Sequence, residues 1–510
     1  MPIPVLLLLT IFLALLLYLF FFVAKKHEGK RVPGPKGWPI LGNLPQLGAK
    51  PHQSLCELSR TYGPLFGLRF GYVDVVVAAS ADVAEQFLRV HDVNFSNRPP
   101  NSGAEHIAYN YQDLVFAPYG PRWRMLRKLC ALHLFSPKAL EDLSPVRSLE
   151  VATLANTLYL RAQSDQPTVN LAQMLTTCTT NALSKAMMGR RVFVNETTDT
   201  ETSKFKDMVL EIMSLAGVFN VGDFVPWLRP FDLQRVVRKM KDVHARFDSF
   251  LDKVIAEHRM VDNAHDLLSL LIRSKDDVDN DGVKLTNTDI KALLLNLFTA
   301  GTDTSSSTVE WALSEMIRHP DALKRAQREL DEVVGRDRLV SETDIRSLPY
   351  IQAIVKETFR LHPSTPLSLP RISSEACTVN GYLIPKNTTL LVNVWAISRD
   401  PGVWKEPLEF RPERFLGGGG YETVDLKGND FELIPFGAGR RVCAGLSLGL
   451  RMVQFLTATL VHGFDWKLVD GQSAEKLDME EAYGLPLQRA VPLMVRPVPR
   501  LDEKAYHVVV

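Results

Sequence analysis

The chain has 510 residues, of which 46% are hydrophobic, 23% charged and 9% aromatic. This composition is typical of a globular protein with a large core and excludes a disordered or fibrous chain. The formal net charge of +1 argues against a nucleic-acid binder, which needs a basic excess on at least one domain. The five cysteines form no CxxC pair, which excludes a zinc ribbon and argues against a disulfide framework.

The N-terminal region begins with an uncharged apolar segment at 3–24. As a helix it would extend about 33 Å, enough to cross a bilayer core of about 30 Å. A cleaved signal peptide would have a shorter apolar region, a basic start and a small-residue cleavage site, none of which is present. Lys and Arg residues follow between 25 and 31, so the positive-inside rule places the remainder in the cytosol. We therefore predict a retained single-pass anchor at 1–24.

A proline-rich segment, PGPKGWP at 33–39, follows the anchor and is predicted to be neither helix nor strand. Because proline restricts both itself and the residue before it, this segment should form a stiff spacer. We assign 25–40 to a basic, proline-rich hinge. No repeat or second linker follows, so 41–510 is predicted to be one large domain.

Short strands and many helices are predicted in this domain. The β-branched residues of 67–79 favour a hairpin around Gly71-Tyr72. Two further strands are predicted at 378–383 and 388–393, separated by a Pro-Lys turn. Most other segments show helical spacing and end at Pro or Gly.

A long helix is predicted from Thr286, where Asp289 completes a cap, to His319. Its middle, AGTDTSSS at 300–307, is rich in poor helix formers, a conflict that often marks a functional site. Small residues there would let a flat cofactor approach the backbone, or they would simply pack the helix against a neighbour, and the pattern alone favours neither. Four residues share one helix face: Leu293, Leu297, Ala300 and Thr304.

A second unusual segment, FGAGRRVCAG at 436–445, ends where an apolar helix at 446–461 is predicted to begin. A Cys443 thiolate at that position would be stabilised by loop amides and the helix N-terminus, so it could bind a metal. Arg441 suits a cofactor carboxylate. A lone cysteine is usually a small buried hydrophobe, but the ten-residue pattern is specific. A phosphate-binding loop fits poorly, because the Lys-Ser/Thr of a P-loop is missing.

FGAGRRVCAG resembles the haem-binding loop of the cytochrome P450 family. The chain also resembles that family, in the expected order, at the proline hinge, the WxxxR helix at 123–127, the oxygen-activation motif at 300–305, the ExxR motif at 357–360 and the PERF segment at 410–415. The resemblance implies a mainly α fold with a small β-rich lobe, the haem-thiolate fold, preceded by one transmembrane helix.

The resemblance also assigns roles to individual residues. It implies haem b with Cys443 as the axial thiolate, whose electron donation favours O–O cleavage. The expected haem-binding residues are Trp123, Arg127, Arg371, Phe436, Gly437, Gly439 and Arg441. Glu357, Arg360 and Arg414 are expected to form a buried structural network. Asp303 and Thr304 are expected to organise the protons needed for oxygen activation.

Within this family the chain is most similar to plant flavonoid 3′-hydroxylases, at 98–128, 361–371, 424–441 and 480–497. By resemblance the substrate pocket would be lined by Ile107, Phe116, Leu297, Ala300, Thr365, Leu367, Leu485 and Pro486. Each of these could instead be an ordinary core residue. Pro486 departs from the pattern, because flavonoid 3′-hydroxylases usually have Thr there and the 3′,5′-hydroxylases a small residue. We therefore expect a stiffer loop with one polar contact fewer, and single 3′-hydroxylation.

The expected activity is O2- and NADPH-dependent hydroxylation of the flavonoid B-ring. Electrons would come from a separate NADPH–cytochrome P450 reductase at the endoplasmic reticulum membrane, because the chain shows no flavin or nicotinamide domain. The alternatives are flavonoid 3′,5′-hydroxylation, 5′-hydroxylation of a related flavone, an oxygen-independent haem-thiolate isomerase or dehydratase, and a silent membrane partner. The Asp303-Thr304 pair argues against the isomerase, and the intact Cys443 loop argues against the silent partner.

Overall fold

The computed structural model describes residues 30–193, 200–259, 266–276, 282–469 and 471–507. The anchor predicted at 1–24 and the start of the predicted hinge lie outside these ranges. Within them, no helix combines the length and hydropathy that a membrane crossing requires. The division at residues 24 and 40 stays a prediction.

Helices make up most of the described structure. Seventeen α-helices lie in the described ranges: α1 (Pro51–Tyr62), α2 (Ala81–Glu85), α3 (Ser102–His106), α4 (Pro121–Cys130), α5 (Pro137–Asp142), α6 (Ser144–Ala162), α7 (Leu171–Met188), α8 (Thr200–Ala216), α9 (Val221–Phe224), α10 (Val236–His258), α11 (Leu267–Arg273), α12 (Asn287–Gly301), α13 (Asp303–Arg318), α14 (Pro320–Val333), α15 (Pro349–Leu361), α16 (Val394–Ile397) and α17 (Leu446–Gly463).

Four small sheets accompany the helices. Their strands are β1 (Leu65–Phe70), β2 (Val73–Ala78), β3 (Val169–Asn170), β4 (Arg371–Ile372), β5 (Cys377–Val379), β6 (Tyr382–Ile384), β7 (Thr389–Val392), β8 (Phe464–Leu468), β9 (Glu481–Ala482), β10 (Gln488–Arg489) and β11 (Met494–Pro499). The largest sheet has the order β1-β2-β7-β4, with β2 and β7 parallel, and the others are β3-β11-β8, β5-β6 and β9-β10.

The hairpin predicted around Gly71-Tyr72 is confirmed, with Leu65 opposite Ala78 in antiparallel register. The single strand predicted at 378–383 is wrong, because the chain turns at Asn380-Gly381 between β5 and β6. Both turn residues have positive φ, 50° and 77°. Asn and Gly tolerate that conformation, and an Asn-Gly pair is a strong hairpin signal that the prediction overlooked.

The long helix predicted from Thr286 to His319 is interrupted. Its capping box at Thr286 and Asp289 is present, but regular helix stops at Gly301 and resumes at Asp303. Around the interruption, the Thr302 hydroxyl donates to Phe298 O at 3.0 Å. Side-chain hydroxyls that bind carbonyls four residues back compete with backbone amides and bend helices. The helix is thus divided into α12 and α13 at Thr302, within the cluster of hydroxyl residues.

The core is centred on α13. Every residue of α13 from Ser305 to Ile317 is buried, and this helix packs against α7, α15 and α17. One hydrophobic cluster surrounds α13, α15 and α17, and a second surrounds α12 together with α8 and α10. The α12–α13 junction therefore lies where the two clusters meet.

Candidate active site

The loop before α17 has a conformation that depends on two glycines. Gly437 and Gly439 have φ values of 70° and 67°, in the left-handed region. A Cβ at Gly439 would lie 2.4 Å from both Asp92 Oδ1 and Leu88 O, so a larger residue does not fit. The loop closes through the Cys443 amide, which donates to the Phe436 carbonyl at 3.0 Å. Cys443 lies two residues before Gly445, which is the N-cap of α17.

Cys443 lies in a mixed electrostatic environment. The residue is exposed, and desolvation by the surrounding protein atoms raises the pKa of its thiol. The backbone amide of Gly445 and the Arg127 guanidinium lower the pKa and so favour the thiolate. Arg127 also donates to the Val442 carbonyl at 2.8 Å, which joins α4 to the loop. Cys443 thus offers a single sulfur, with one amide and one guanidinium that favour its thiolate form.

The α12–α13 junction has accessible small residues within a buried helix pair. Ala300 and Gly301 are exposed, whereas Leu293 to Phe298 are all buried. Gly301 also packs against α7. A Cβ there would lie 2.6 Å from Leu183 Cδ2, so its missing side chain serves the contact between two helices. Ala300 and Gly301 are both small and accessible, as expected beside a flat group.

Asp303 and Thr304 lie in different surroundings. Thr304 is half-buried, and its hydroxyl donates to Ala300 O at 2.8 Å. Asp303 is buried against α7, where the Thr176 hydroxyl donates to Asp303 Oδ1 at 3.4 Å. Burial raises the pKa of Asp303, and the Thr176 hydrogen bond partly offsets this rise. Thr304 therefore shares the Ala300 side of the helix, and Asp303 faces the neighbouring helix.

The guanidinium groups of half-buried Arg98 and of buried Arg371 and Arg441 influence one another, and Asp92, 3.5 Å from Arg371, is a carboxylate paired with them. Burial and the neighbouring charges of Arg371 and Arg441 lower the pKa of Arg98. Burial lowers the pKa of Arg371 to about 10. Burial, together with the positive charge of Arg371, lowers the pKa of Arg441 to about 10. Arg371 Nε and Arg441 Nη1 are buried and have no hydrogen-bond partner among the described residues. Buried N–H groups without an acceptor are costly, so these two nitrogens fit an anionic group with carboxylates, such as the propionates of haem.

Arg98 is a member of this cluster that the sequence analysis missed. It donates to Val115 O at 3.1 Å and to Leu369 O at 2.7 Å. Its only sequence signal is its position before two prolines, which restrict the backbone to an extended form. The cluster spans more than 340 residues of chain, from Arg98 to Arg441, so no local pattern assembles it.

Trp123 contacts a backbone carbonyl and two guanidinium groups. Its indole N–H donates to Leu114 O at 3.0 Å. The Arg441 and Arg127 guanidinium groups lie 4.6 and 5.4 Å from the centre of its ring. The Trp123 ring thus makes cation–π contacts with both guanidinium groups.

The residues Glu357, Arg360 and Arg414 meet in one buried ion network. Arg360 Nε lies 2.7 Å from Glu357 Oε2, and Arg414 Nε lies 3.1 Å from Glu357 Oε1. All three side chains are at most 4% exposed. On the same helix, α15, the ring of Phe359 lies 5.0 Å from that of Phe436. The network is thus connected to the start of the Cys443 loop.

The eight residues expected to contact substrate fall into different environments. Ile107 and Leu297 are buried in the cluster around α12. Phe116 and Thr365 are half-buried. Leu367 packs in another hydrophobic cluster, with the strands of the largest sheet.

The late loop that contains Leu485 and Pro486 is tied to α13. The Leu487 amide donates to Ser364 O at 2.8 Å, and the Ser307 hydroxyl donates to Leu487 O at 2.9 Å. The Ser364 hydroxyl lies 3.0 Å from the Thr308 hydroxyl. These contacts bring together the loop, the segment after the ExxR motif and α13. The sequence analysis did not single out Ser364.

Comparison with known proteins now identifies the family. A cytochrome P450 family model matches residues 32–493. The chain belongs to the cytochrome P450 family. As a cytochrome P450 it is an oxidoreductase of a family that uses haem held by a cysteine thiolate and consumes O2.

Two relatives and one solved structure show how similar this cytochrome P450 is to known members. A flavonoid 3′-monooxygenase of Crocosmia x crocosmiiflora is 70% identical over 475 residues, 93% of each chain. A flavonoid 3′,5′-hydroxylase of the same plant is 60% identical, over 97% of this chain and 96% of its own. A structure of a zebra fish cytochrome P450 with progesterone aligns with a TM-score of 0.75 at 26% identity, over 88% of this chain and 99% of that one. The mainly helical fold with small sheets is thereby confirmed.

Proposed function

We propose that the chain is a haem-thiolate monooxygenase that hydroxylates the flavonoid B-ring at the 3′ position. Its substrates would be of the naringenin, dihydrokaempferol, apigenin or kaempferol type. The observation that carries this proposal is the 70% identity, over 93% of the chain, to a flavonoid 3′-monooxygenase. The intact Cys443 loop and its Arg cluster support the cofactor part of the proposal.

The proposed haem contacts follow from the thiol and the guanidinium groups of the site. Cys443 would bind the iron, and Arg98, Arg371 and Arg441 would neutralise the two haem carboxylates. When bound, haem supplies the activation of O2 and the one-electron chemistry that no amino-acid side chain provides. Ala300 would leave room beside it.

Thr304 is the main residue proposed to position the proton donor for oxygen activation. Its Oγ1 donates to Ala300 O and keeps its lone pairs free to accept, so it can hold a proton-bearing water. Asp303 faces Thr176 in α7, so we propose an indirect role for its carboxyl. It would exchange protons with the site through intervening hydroxyl groups and water. The Thr176 and Ser306 hydroxyls, 3.1 Å apart, provide the first such contact.

Electron supply and location complete the proposal. NADPH would act through a separate reductase, and the chain would be anchored in the endoplasmic reticulum membrane with its catalytic domain in the cytosol. The apolar segment 3–24 supports this location, as do Trp38, near the end of the proline segment, and Ile40, directly after it, which are 62% and 54% exposed. Alkaline extraction of microsomes tests the location, since an anchored chain remains in the pellet.

The activity test uses microsomes containing the full chain and a plant reductase, supplied with NADPH and O2. We expect naringenin, apigenin and dihydrokaempferol each to gain one hydroxyl group at C3′, as identified by mass and NMR. A second hydroxyl at C5′ would favour the 3′,5′-hydroxylase alternative, which the 60% identity to such an enzyme makes the second candidate. Product formed without consumption of NADPH and O2 would overturn the proposal in favour of an isomerase or dehydratase.

A further inference from the structure

A buried amide in α12 holds the segment that carries Phe116. Asn296 Oδ1 accepts hydrogen bonds from the backbone amides of Leu114, at 2.7 Å, and Val115, at 3.1 Å. Its Nδ2 donates to Asp113 Oδ2 at 2.9 Å. Asn296 is buried one helical turn before Ala300, so α12 is bonded to this segment beside the proposed site.

Asp113 completes the same arrangement from within the segment. Its Oδ1 accepts from the Phe116 amide at 2.9 Å, and its Oδ2 accepts from the Val115 amide at 3.3 Å. The side chain is fully buried, and burial raises its pKa to about 6 despite the hydrogen bond from Asn296. The carboxylate form therefore predominates at neutral pH and accepts from three donors.

The backbone carbonyls of residues 114–117 accept hydrogen bonds from side chains outside α12. Leu114 O accepts from the Trp123 indole, Val115 O from Arg98 and Ala117 O from Arg441. The backbone of 114–117 is thus held between α12 and the guanidinium groups of Arg98 and Arg441, and Phe116 is one of two half-buried side chains between these attachments.

The chain just before this segment is strained. Tyr109, Asn110 and Tyr111 all have positive φ, between 51° and 62°. Consecutive non-glycine residues in that region are unfavourable and persist only where surrounding contacts hold them. Such a loop has an intrinsic tendency to relax if its attachment to α12 is released.

We propose that the Asp113–Asn296 pair, the clasp, is a positioning device that fixes Phe116 relative to α12 and so orients the substrate. Neither residue is a catalytic residue, because each acts through the backbone of 114–116. The proposal rests on the proposed function for the nature of the substrate. The clasp itself stands on the hydrogen bonds alone.

The geometry predicts how each substitution acts. Asp113→Asn turns an accepting oxygen into a donor that faces the Asn296 amide or the Phe116 amide. Asn296→Asp removes the donor to Asp113 and brings two carboxylates together. The double swap, Asp113→Asn with Asn296→Asp, restores a complementary pair, because the aspartate can still accept from Leu114 and Val115 and also from the new amide.

The experiment compares four full-length chains in lipid nanodiscs: the parent, both single variants and the double swap. Amide hydrogen exchange measures the segment directly, and flavonoid titration followed by the haem spin-state change measures binding. A peak at 450 nm in the reduced-CO spectrum establishes that each variant holds haem. Asp82→Asn, the same change on an exposed side chain of α2, is the control.

We expect each single variant to speed exchange of the 114–116 amides about tenfold and to weaken apigenin binding about tenfold, because buried polar groups lose their partners. The double swap should return both values to within about threefold of the parent. Unchanged exchange in the single variants, or a double swap no better than they are, would overturn the clasp. Faster exchange with unchanged binding would overturn its role in orienting substrate. If the parent converts no flavonoid, the proposed function fails, and the exchange measurement still decides whether the clasp exists.

Discussion

The buried carboxylate of Glu357 offers a sharp test of the support beneath the Cys443 loop. Glu357→Gln keeps the side-chain shape but removes the negative charge shared by Arg360 and Arg414. The two guanidinium groups are 0% and 4% exposed, so they would be left buried without their counter-ion. Removal of one partner from such a network costs about 3–5 kcal/mol, a large part of the roughly 5–15 kcal/mol that stabilises a typical protein.

The chain contains a matched control for this substitution. Glu57 and Arg60 in α1 have the same i, i+3 spacing and the same 2.7 Å nitrogen–oxygen distance, but their side chains are 66% and 70% exposed. Because exposed pairs contribute only about 0–1 kcal/mol, Glu57→Gln should be nearly silent. Urea denaturation, together with the yield of the 450 nm reduced-CO form, measures both variants. Equal urea midpoints and equal haem yields for the two variants would refute the structural role of the network.

Three further predictions concern proton delivery, regiochemistry and pH. Thr304→Ala should retain haem but divert NADPH oxidation from product to peroxide or water, and unchanged coupling would reduce Thr304 to a packing residue. Pro486→Thr should change the ranking of naringenin, apigenin and dihydrokaempferol, and an identical ranking and product position would mean that the late loop does not steer the B-ring. Burial opposes ionisation of Glu481, but the His52 hydrogen bond and the charge of Arg399 lower its pKa from 4.5 to about 2. The folded state therefore binds fewer protons than the unfolded state, and this contribution to stability is complete above pH 4.5 and is lost as the pH falls toward 2. The thermal midpoints of Glu481→Gln and the parent should converge as the pH falls from about 7 to about 3, and a constant gap would contradict this assignment.

Features encoded by neighbouring residues could be predicted from the sequence. The hairpin at Gly71-Tyr72 follows from a local pattern, and so do the capping box at Thr286 and the start of α17 after Cys443. The break at Thr302 and the turn at Asn380 were missed, although both have local signals, because longer regular segments were favoured over hydroxyl bonding and turn chemistry.

Contacts between distant parts of the chain could not be predicted from local patterns. Asn296 lies 183 residues from Asp113, and nothing near either residue indicates that their side chains meet. The sequence leaves open whether Gly301 makes room for a cofactor or packs against a neighbour, and the nearby Leu183 belongs to a helix more than 110 residues earlier. Such pairings depend on how helices pack, which a single sequence does not reveal.

The origin and position of the added oxygen test the central claim most directly. The full chain and a reductase are incubated with apigenin, NADPH and ¹⁸O2, and the product is analysed by mass spectrometry and NMR. The account predicts one heavy oxygen atom, bound to C3′ of the B-ring. Oxygen derived from water, or a heavy atom on any other carbon, would contradict it.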